Sequence, residues 1–164
     1  MFNLEIETLA RLLIDEARQR SLRIVTAESC TGGLVAGAIC AIPGASDVFE
    51  RGFVAYTNRA KQELLGVPGD LIADLGAVSE PVARMMAEGA LENSNAHLSV
   101  AITGVAGPGG GTRMKPVGTV HIATARTNHG LMHREEFFEE ETRQGVQLAA
   151  VQAALQMLRD RLTP

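Results

Sequence analysis

Apolar positions recur at helical spacing over residues 4–20, where Leu9, Leu12, Leu13 and Ala17 stand between charged side chains. The chain therefore opens on an amphipathic helix that packs on something larger. The period then switches. Arg23 to Thr26 reads as a short apolar strand that runs through the polar turn Glu28-Ser29-Cys30-Thr31 into a small-residue helix from about Gly32 to Ala41, stopped by Pro43-Gly44. Asp47 to Tyr56 reads as a second strand. Thr57 or Asn58 caps a short helix through Leu65, Gly66-Val67-Pro68-Gly69 interrupts it, and another short helix covers about Asp70 to Leu75. Ser79-Glu80-Pro81 combines a capping hydroxyl, early negative charge and a proline in the first turn, and so starts a helix that runs to about Asn93.

His97 to Thr103 is rich in small and β-branched residues, as a buried strand is, and feeds the glycine-rich segment 104–111. Val117 to Ala125 and Met132 to Phe138 are two more strands, paired antiparallel about a turn at Asn128-His129-Gly130. A closing helix from about Arg143 to Arg161 buries Val146, Ala149, Ala150, Ala153, Met157 and Leu158. Strands and helices alternate without repeat or linker, which predicts a single domain over residues 1–164: an α/β sandwich with a mixed, partly parallel sheet flanked by helices.

Composition narrows the function classes. The chain has 164 residues, 46% of them hydrophobic, and a net charge of -4. That balance, with no Lys/Arg run, argues against a nucleic-acid partner held by phosphate neutralisation and favours a small molecule. No apolar run approaches the roughly 20 residues needed to cross a bilayer, and the first residues lack the pattern of a signal peptide, so the expectation is a cytoplasmic protein with no membrane partner. Cys30 and Cys40 have no metal-type spacing and are expected to be buried small hydrophobes.

The candidate chemistry gathers at three places. Ser29 lies where a strand turns into a helix, beside N–H groups that have no intrahelical partner. Two roles fit it: a nucleophile with oxyanion donors nearby, or an ordinary helix cap. The segment Gly104-Val105-Ala106-Gly107-Pro108-Gly109-Gly110-Gly111 follows a strand but matches neither the dinucleotide nor the P-loop spacing. It is either a surface connection or a loop whose backbone approaches a ligand, with the Thr103 hydroxyl at the strand end where open α/β sheets bind ligands. Tyr56, the only tyrosine, ends a strand, and Lys61 follows five residues later. Lys61 is a general base only if burial or a nearby cation lowers its pKa; otherwise it is a solvated helix lysine. His97, His121, His129 and His133 show no motif linking them to Ser29, although His121 and His133 are spaced for a cross-strand pair. The run Glu135-Glu136 and Glu139-Glu140-Glu141 reads as an exposed face.

Three segments taken together are more specific. Ala27-Glu28-Ser29-Cys30-Thr31-Gly32-Gly33, Tyr56-Thr57-Asn58-Arg59-Ala60-Lys61 and Ile102-Thr103-Gly104-Val105-Ala106-Gly107-Pro108-Gly109-Gly110 closely resemble the CinA C-terminal domain family, whose stand-alone members include nicotinamide-nucleotide amidohydrolases. The segments Gly76-Ala77-Val78-Ser79-Glu80 and Lys115-Pro116-Val117-Gly118-Thr119-Val120 agree with it as well, so the resemblance spans about Leu4 to Leu158. It implies hydrolysis of the carboxamide of nicotinamide mononucleotide by a serine and lysine couple, with no metal and no cofactor. In that reading Ser29 is the nucleophile, Lys61 the general base, and Tyr56 the hydroxyl that assists proton transfer. N–H groups around Thr31, Gly32 and Gly33, or those of the glycine-rich loop, hold the oxyanion, while Thr103, Gly104 and Ala106 line the nucleotide pocket and Arg143 meets the phosphate.

One departure concerns the start of the last helix. Family members commonly carry Gly-Asp-Arg and then a second arginine, whereas this chain has Glu141-Thr142-Arg143 and then Gln147. Arg143 therefore fits either the phosphate or a surface salt bridge. The resemblance also implies a homo-oligomer. Many relatives carry an amino-terminal molybdopterin-binding-like domain, whose functions are not carried over to this chain. Two rivals stay open: a non-catalytic nucleotide-binding or regulatory domain, and a deamidase for another small amide.

Overall fold

The computed structural model describes residues 1–163. Helix α1 (Leu4–Gln19) leads into β1 (Ile24–Glu28), α2 (Leu34–Cys40), a 3-10 turn at Ala45–Asp47 and β2 (Phe49–Val54). Then come α3 (Asn58–Leu65), α4 (Gly69–Leu75), α5 (Glu80–Glu92), β3 (Leu98–Gly104), the hairpin β4 (Thr119–Arg126) and β5 (Gly130–Phe137), and α6 (Arg143–Asp160). The strands form one open, mixed α/β sheet in the order β2-β1-β3-β4-β5, parallel among β2, β1 and β3 and antiparallel from β3 to β5.

Alternation along the central strands assigns each side chain to one of two cores. Ile24, Leu98, Val100, Ile102, Val120 and Ile122 face α1, α2 and α6. Val25, Ala27, Ala101, Ala123 and Ala125 face the layer of α3, α4 and α5. The second face is built from small residues, and α5 answers with Ala83, Ala87 and Ala90, so helix and sheet approach closely. On α1 the buried stripe is Ile6, Ala10, Leu13, Ile14 and Ala17, with Leu12 outside it.

Several expected details differ. Helix α6 buries Val146, Ala150, Met157 and Leu158 as expected, but Val151, Ala154 and Leu155 take the places foreseen for Ala149 and Ala153. This helix packs on both α1 and the sheet, and a helix that is apolar on two sides leaves no sharp stripe to read. Ser79 sits at the N-cap of α5, yet its hydroxyl donates to the Gly76 carbonyl at 2.9 Å and does not cap the helix. Cys30 is buried, but Cys40, the last residue of α2, is exposed. His121 and His133 do pair across β4 and β5, with Nδ1 and Nε2 2.9 Å apart and the rings stacked. Burial holds both imidazoles below the usual histidine range.

Gly89 decides how α3 sits on α5. A Cβ at this position would meet the Leu65 carbonyl oxygen at 1.9 Å, and a backbone atom at the end of α3 cannot swing aside. Gly→Ala inside a helix ordinarily gains about 1 kcal/mol in propensity, while forcing an extra carbon into a packed contact costs about 1–3 kcal/mol. Gly89→Ala is therefore expected to lower stability by up to about 2 kcal/mol in urea unfolding; a stabilised variant would show that α3 is not seated on α5 in this way.

Candidate active site

The parallel strands β1, β2 and β3 end on one edge of the sheet, and each delivers polar groups there. Ser29 follows β1, Ala55 and Tyr56 follow β2, and Thr103 and Gly104 close β3. Strand β5 also runs toward this edge, which brings Arg143 at the start of α6 to the same place. Ligands of open α/β sheets bind at such carboxyl ends. A cavity of about 290 Å³ lies there, bordered by Ser29, Tyr56, Lys61, Thr103, the glycine-rich loop and Arg143.

Lys61 is the decisive side chain. Thr57 starts α3 by accepting the Ala60 N–H at 3.0 Å, and one turn of helix then carries Lys61 inward. Its side chain is 1% exposed, and Nζ lies 2.8 Å from Ser29 Oγ and 3.1 Å from each of the Ala55 and Tyr56 carbonyl oxygens. Among the described residues no carboxylate pairs with it. Burial, the main cause, pushes this amine below its ordinary range. The adjacent Cys30 thiol is pushed up to about 12 by its own burial and stays neutral, so it supplies no compensating charge. Ser29 Oγ also faces the Tyr56 carbonyl at 3.4 Å. The 2.8 Å contact works in either direction: an ammonium donates to the hydroxyl oxygen, and a neutral amine accepts the hydroxyl proton.

Ser29 does not cap α2. The cap is Glu28, whose carboxylate is fully buried and accepts the Thr31 hydroxyl at 2.6 Å, the Val35 N–H at 2.8 Å and the Ala36 N–H at 3.1 Å. Burial raises the Glu28 carboxyl, and these donors pull it back. The helix begins at Leu34 rather than near Gly32, and its first N–H groups are already taken, Leu34 by the Thr31 carbonyl and Val35 and Ala36 by Glu28. Thr31 is buried against Glu28, and neither it nor Gly32 and Gly33 borders the cavity.

The glycine-rich loop is pinned on both sides. Val105 N–H donates to Thr119 O and Gly118 N–H to Val105 O, each at 2.8 Å. Arg143 Nη1 donates to Gly107 O at 2.7 Å. Gly107 has φ +82°, and a Cβ there would meet Val117 Cγ1 at 2.5 Å, so glycine is required. Thr103 donates to Ala77 O at 2.9 Å and ties in the wall formed by Ala77 and Val78. Arg143 Nη2 donates to the Tyr56 hydroxyl at 2.8 Å, joining both rims of the cavity, and among the described residues the arginine makes no salt bridge. Tyr56, 55% exposed, thus reaches Ser29 and Lys61 through its carbonyl, while its hydroxyl belongs to Arg143. Gln147 donates to the Cys30 carbonyl at 3.0 Å and holds the Ser29 turn from the side of α6.

The profile of the CinA C-terminal domain matches residues 6–162. The chain belongs to the CinA C-terminal domain family. A CinA-like protein from Akkermansia muciniphila is 56% identical over 118 residues, covering 72% of this chain and 28% of that protein. One from Syntrophobacter fumaroxidans is 43% identical over 152 residues, covering 93% of this chain and 35% of its own length. The chain therefore spans about a third of the curated relatives it matches. The crystal structure of competence/damage inducible protein CihA from Agrobacterium tumefaciens superposes with a TM-score of 0.97 at 48% identity, covering 100% and 99% of the two chains. A CinA superfamily protein from Escherichia coli gives 0.90 at 37%, covering 97% and 92%.

In this CinA domain, sequence reasoning overlooked Glu28, Asn58, Ala77 and Val78. Only Glu28 left a signal, since a carboxylate at the end of a short, mostly apolar strand needs donors. Among the described residues no group of three or more His, Cys, Asp or Glu side chains is arranged to hold a metal ion. No helix among them is long and apolar enough to cross a membrane.

The buried lysine makes stability depend on pH. With its folded pKa below the ordinary value of about 10.4, Lys61 loses its proton first in the folded state, so the domain gains stability as pH rises toward that value. The gain is lost as pH falls through the folded pKa. Urea unfolding between pH 7 and 10 should show this rise in the parent and a flatter profile in Lys61→Met; parallel profiles would mean that Lys61 titrates normally.

Proposed function

We propose that this CinA domain hydrolyses the carboxamide of nicotinamide mononucleotide to nicotinate mononucleotide and ammonia. The observation that carries the proposal is the buried Lys61 Nζ 2.8 Å from Ser29 Oγ, beside a cavity walled by a glycine-rich loop. Burial favours the neutral amine, which is the form able to take the serine proton. Ser29 Oγ then attacks the amide carbon. The resulting oxyanion has the loop backbone opposite it, and Lys61 returns the proton to the nitrogen, which leaves as ammonia. Water, deprotonated by Lys61, attacks the acyl-serine ester and releases the carboxylate and Ser29.

Because the first turn of α2 is capped by Glu28, the proposal takes its oxyanion donors from the Cys30 N–H and the glycine-rich loop, with Thr103, Gly104 and Ala106 along the ligand. Arg143 faces the phosphate from the cavity rim. Tyr56 holds Lys61 through its carbonyl; for its hydroxyl to join the proton transfer it must first leave Arg143.

Ammonia release from nicotinamide mononucleotide, nicotinamide riboside and nicotinamide by purified protein tests the reading. Ser29→Ala should lower kcat by at least about 10³-fold, and Lys61→Ala by about 10²–10⁴-fold at neutral pH. Chelator should leave turnover unchanged. Full turnover in Ser29→Ala would sink the mechanism. Separately, Arg143→Gln should raise KM for the mononucleotide about tenfold, the loss of one charge-assisted contact, while sparing the riboside. Equal effects on both substrates would remove the phosphate from the role of Arg143.

A further inference from the structure

Ser29 sits at the start of a turn that has little stiffness of its own. Gly32 and Gly33 both take positive φ, +56° and +98°, and Gly33 stands at the N-cap of α2 with no side chain to cap it. The helix N-terminus is nevertheless satisfied inside the core, and the group that does this is attached to the residue immediately before Ser29. The Glu28 carboxylate spans from the end of β1 to the N–H groups of Val35 and Ala36, and takes the Thr31 hydroxyl on the way. The backbone on either side is fixed to the sheet: Ala55 N–H donates to Glu28 O and Ser29 N–H to Ile102 O, each at 2.9 Å. One carboxylate therefore closes the segment from residue 28 to residue 36 into a loop whose ends cannot separate.

We propose that Glu28 is the positioning residue of the nucleophile turn, clamping the start of α2 to the end of β1 so that Ser29 Oγ stays within hydrogen-bond reach of Lys61 Nζ. Glu28 does not border the cavity, so it touches neither substrate nor reacting atoms. Its effect passes through backbone geometry, where a displacement of about 1 Å costs on the order of 100-fold in rate. Reach matters more than charge in this role. Glutamine keeps the length and one acceptor oxygen; aspartate keeps the charge but is one methylene too short to span from the strand end to the helix.

This inference rests on Ser29 being the nucleophile, and two readouts separate its failure from failure of the substrate assignment. The first is kcat and KM for nicotinamide mononucleotide. The second is the rate at which a fluorophosphonate probe labels Ser29, which needs no natural substrate. Glu28→Asp and Glu28→Ala should lower kcat and labelling by about 100-fold, with KM within threefold. Glu28→Gln should stay within about tenfold of the parent. A role confined to stability would lower the unfolding midpoint of each variant but leave labelling of the folded fraction unchanged, and that result would overturn the proposal. So would Glu28→Asp outperforming Glu28→Gln, because charge rather than reach would then matter. Parent protein that is not labelled at Ser29 also overturns it. Labelling that follows the predicted order while the nucleotide is not hydrolysed would uphold the clamp and reject the substrate.

Discussion

A lysine buried against neutral oxygens is the constraint on which this structure turns. Lys61 Nζ is surrounded by one hydroxyl and two carbonyls, an arrangement that satisfies three N–H bonds while supplying no full negative charge. A carboxylate neighbour would make the ammonium easier to bury, but would also hold the proton in place. The fold accepts the less stable arrangement. It seats α3 against α5 through the Leu65 carbonyl and the missing side chain of Gly89, and so keeps the amine directly over Ser29. Burial and ionisation pull in opposite directions at this residue.

The rest of the edge is assembled by elements distant in sequence. Three parallel strands end side by side and deliver Ser29, the Ala55-Tyr56 carbonyls and Thr103, while α6 reaches back over them. Arg143 ties Gly107 to Tyr56, and Gln147 ties down the Cys30 carbonyl. At Gln147, one turn further along α6, the chain has an amide that is already engaged with the protein. Among the described residues at the start of α6, the cation bordering the cavity is Arg143, while the acidic Glu139, Glu140 and Glu141 nearby are exposed.

Much of this was legible from local pattern. The order of strands and helices follows from hydrophobic period and from punctuation such as Pro43-Gly44 and Ser79-Glu80-Pro81, because those signals act within one or two turns. The site was legible only in outline. Ser29 next to a helix start reads equally well as a cap, and Glu28 beside it signals only that a buried carboxylate needs donors, not that those donors are the first N–H groups of α2. Thr31 was expected to offer a backbone N–H near the ligand; its hydroxyl donates to that carboxylate, and the residue does not border the cavity. Cys40 looked buried beside other small apolar residues, but its position at the end of α2 leaves it at the surface.

The sequence by itself determined the α/β class, the elements and their order, and the turns at which polar groups leave the core. Only the tertiary structure decided that Lys61 is dry, that the Val35 and Ala36 N–H groups at the start of α2 are spent on Glu28, and that the Tyr56 hydroxyl lies on Arg143. The reason is the range of the interactions. Periodicity and capping depend on neighbours a few residues away, whereas the ionisation of a side chain and the freedom of a donor depend on what is packed around it. Here those partners lie 32 residues apart for Lys61 and Ser29 and 117 apart for Gln147 and Cys30.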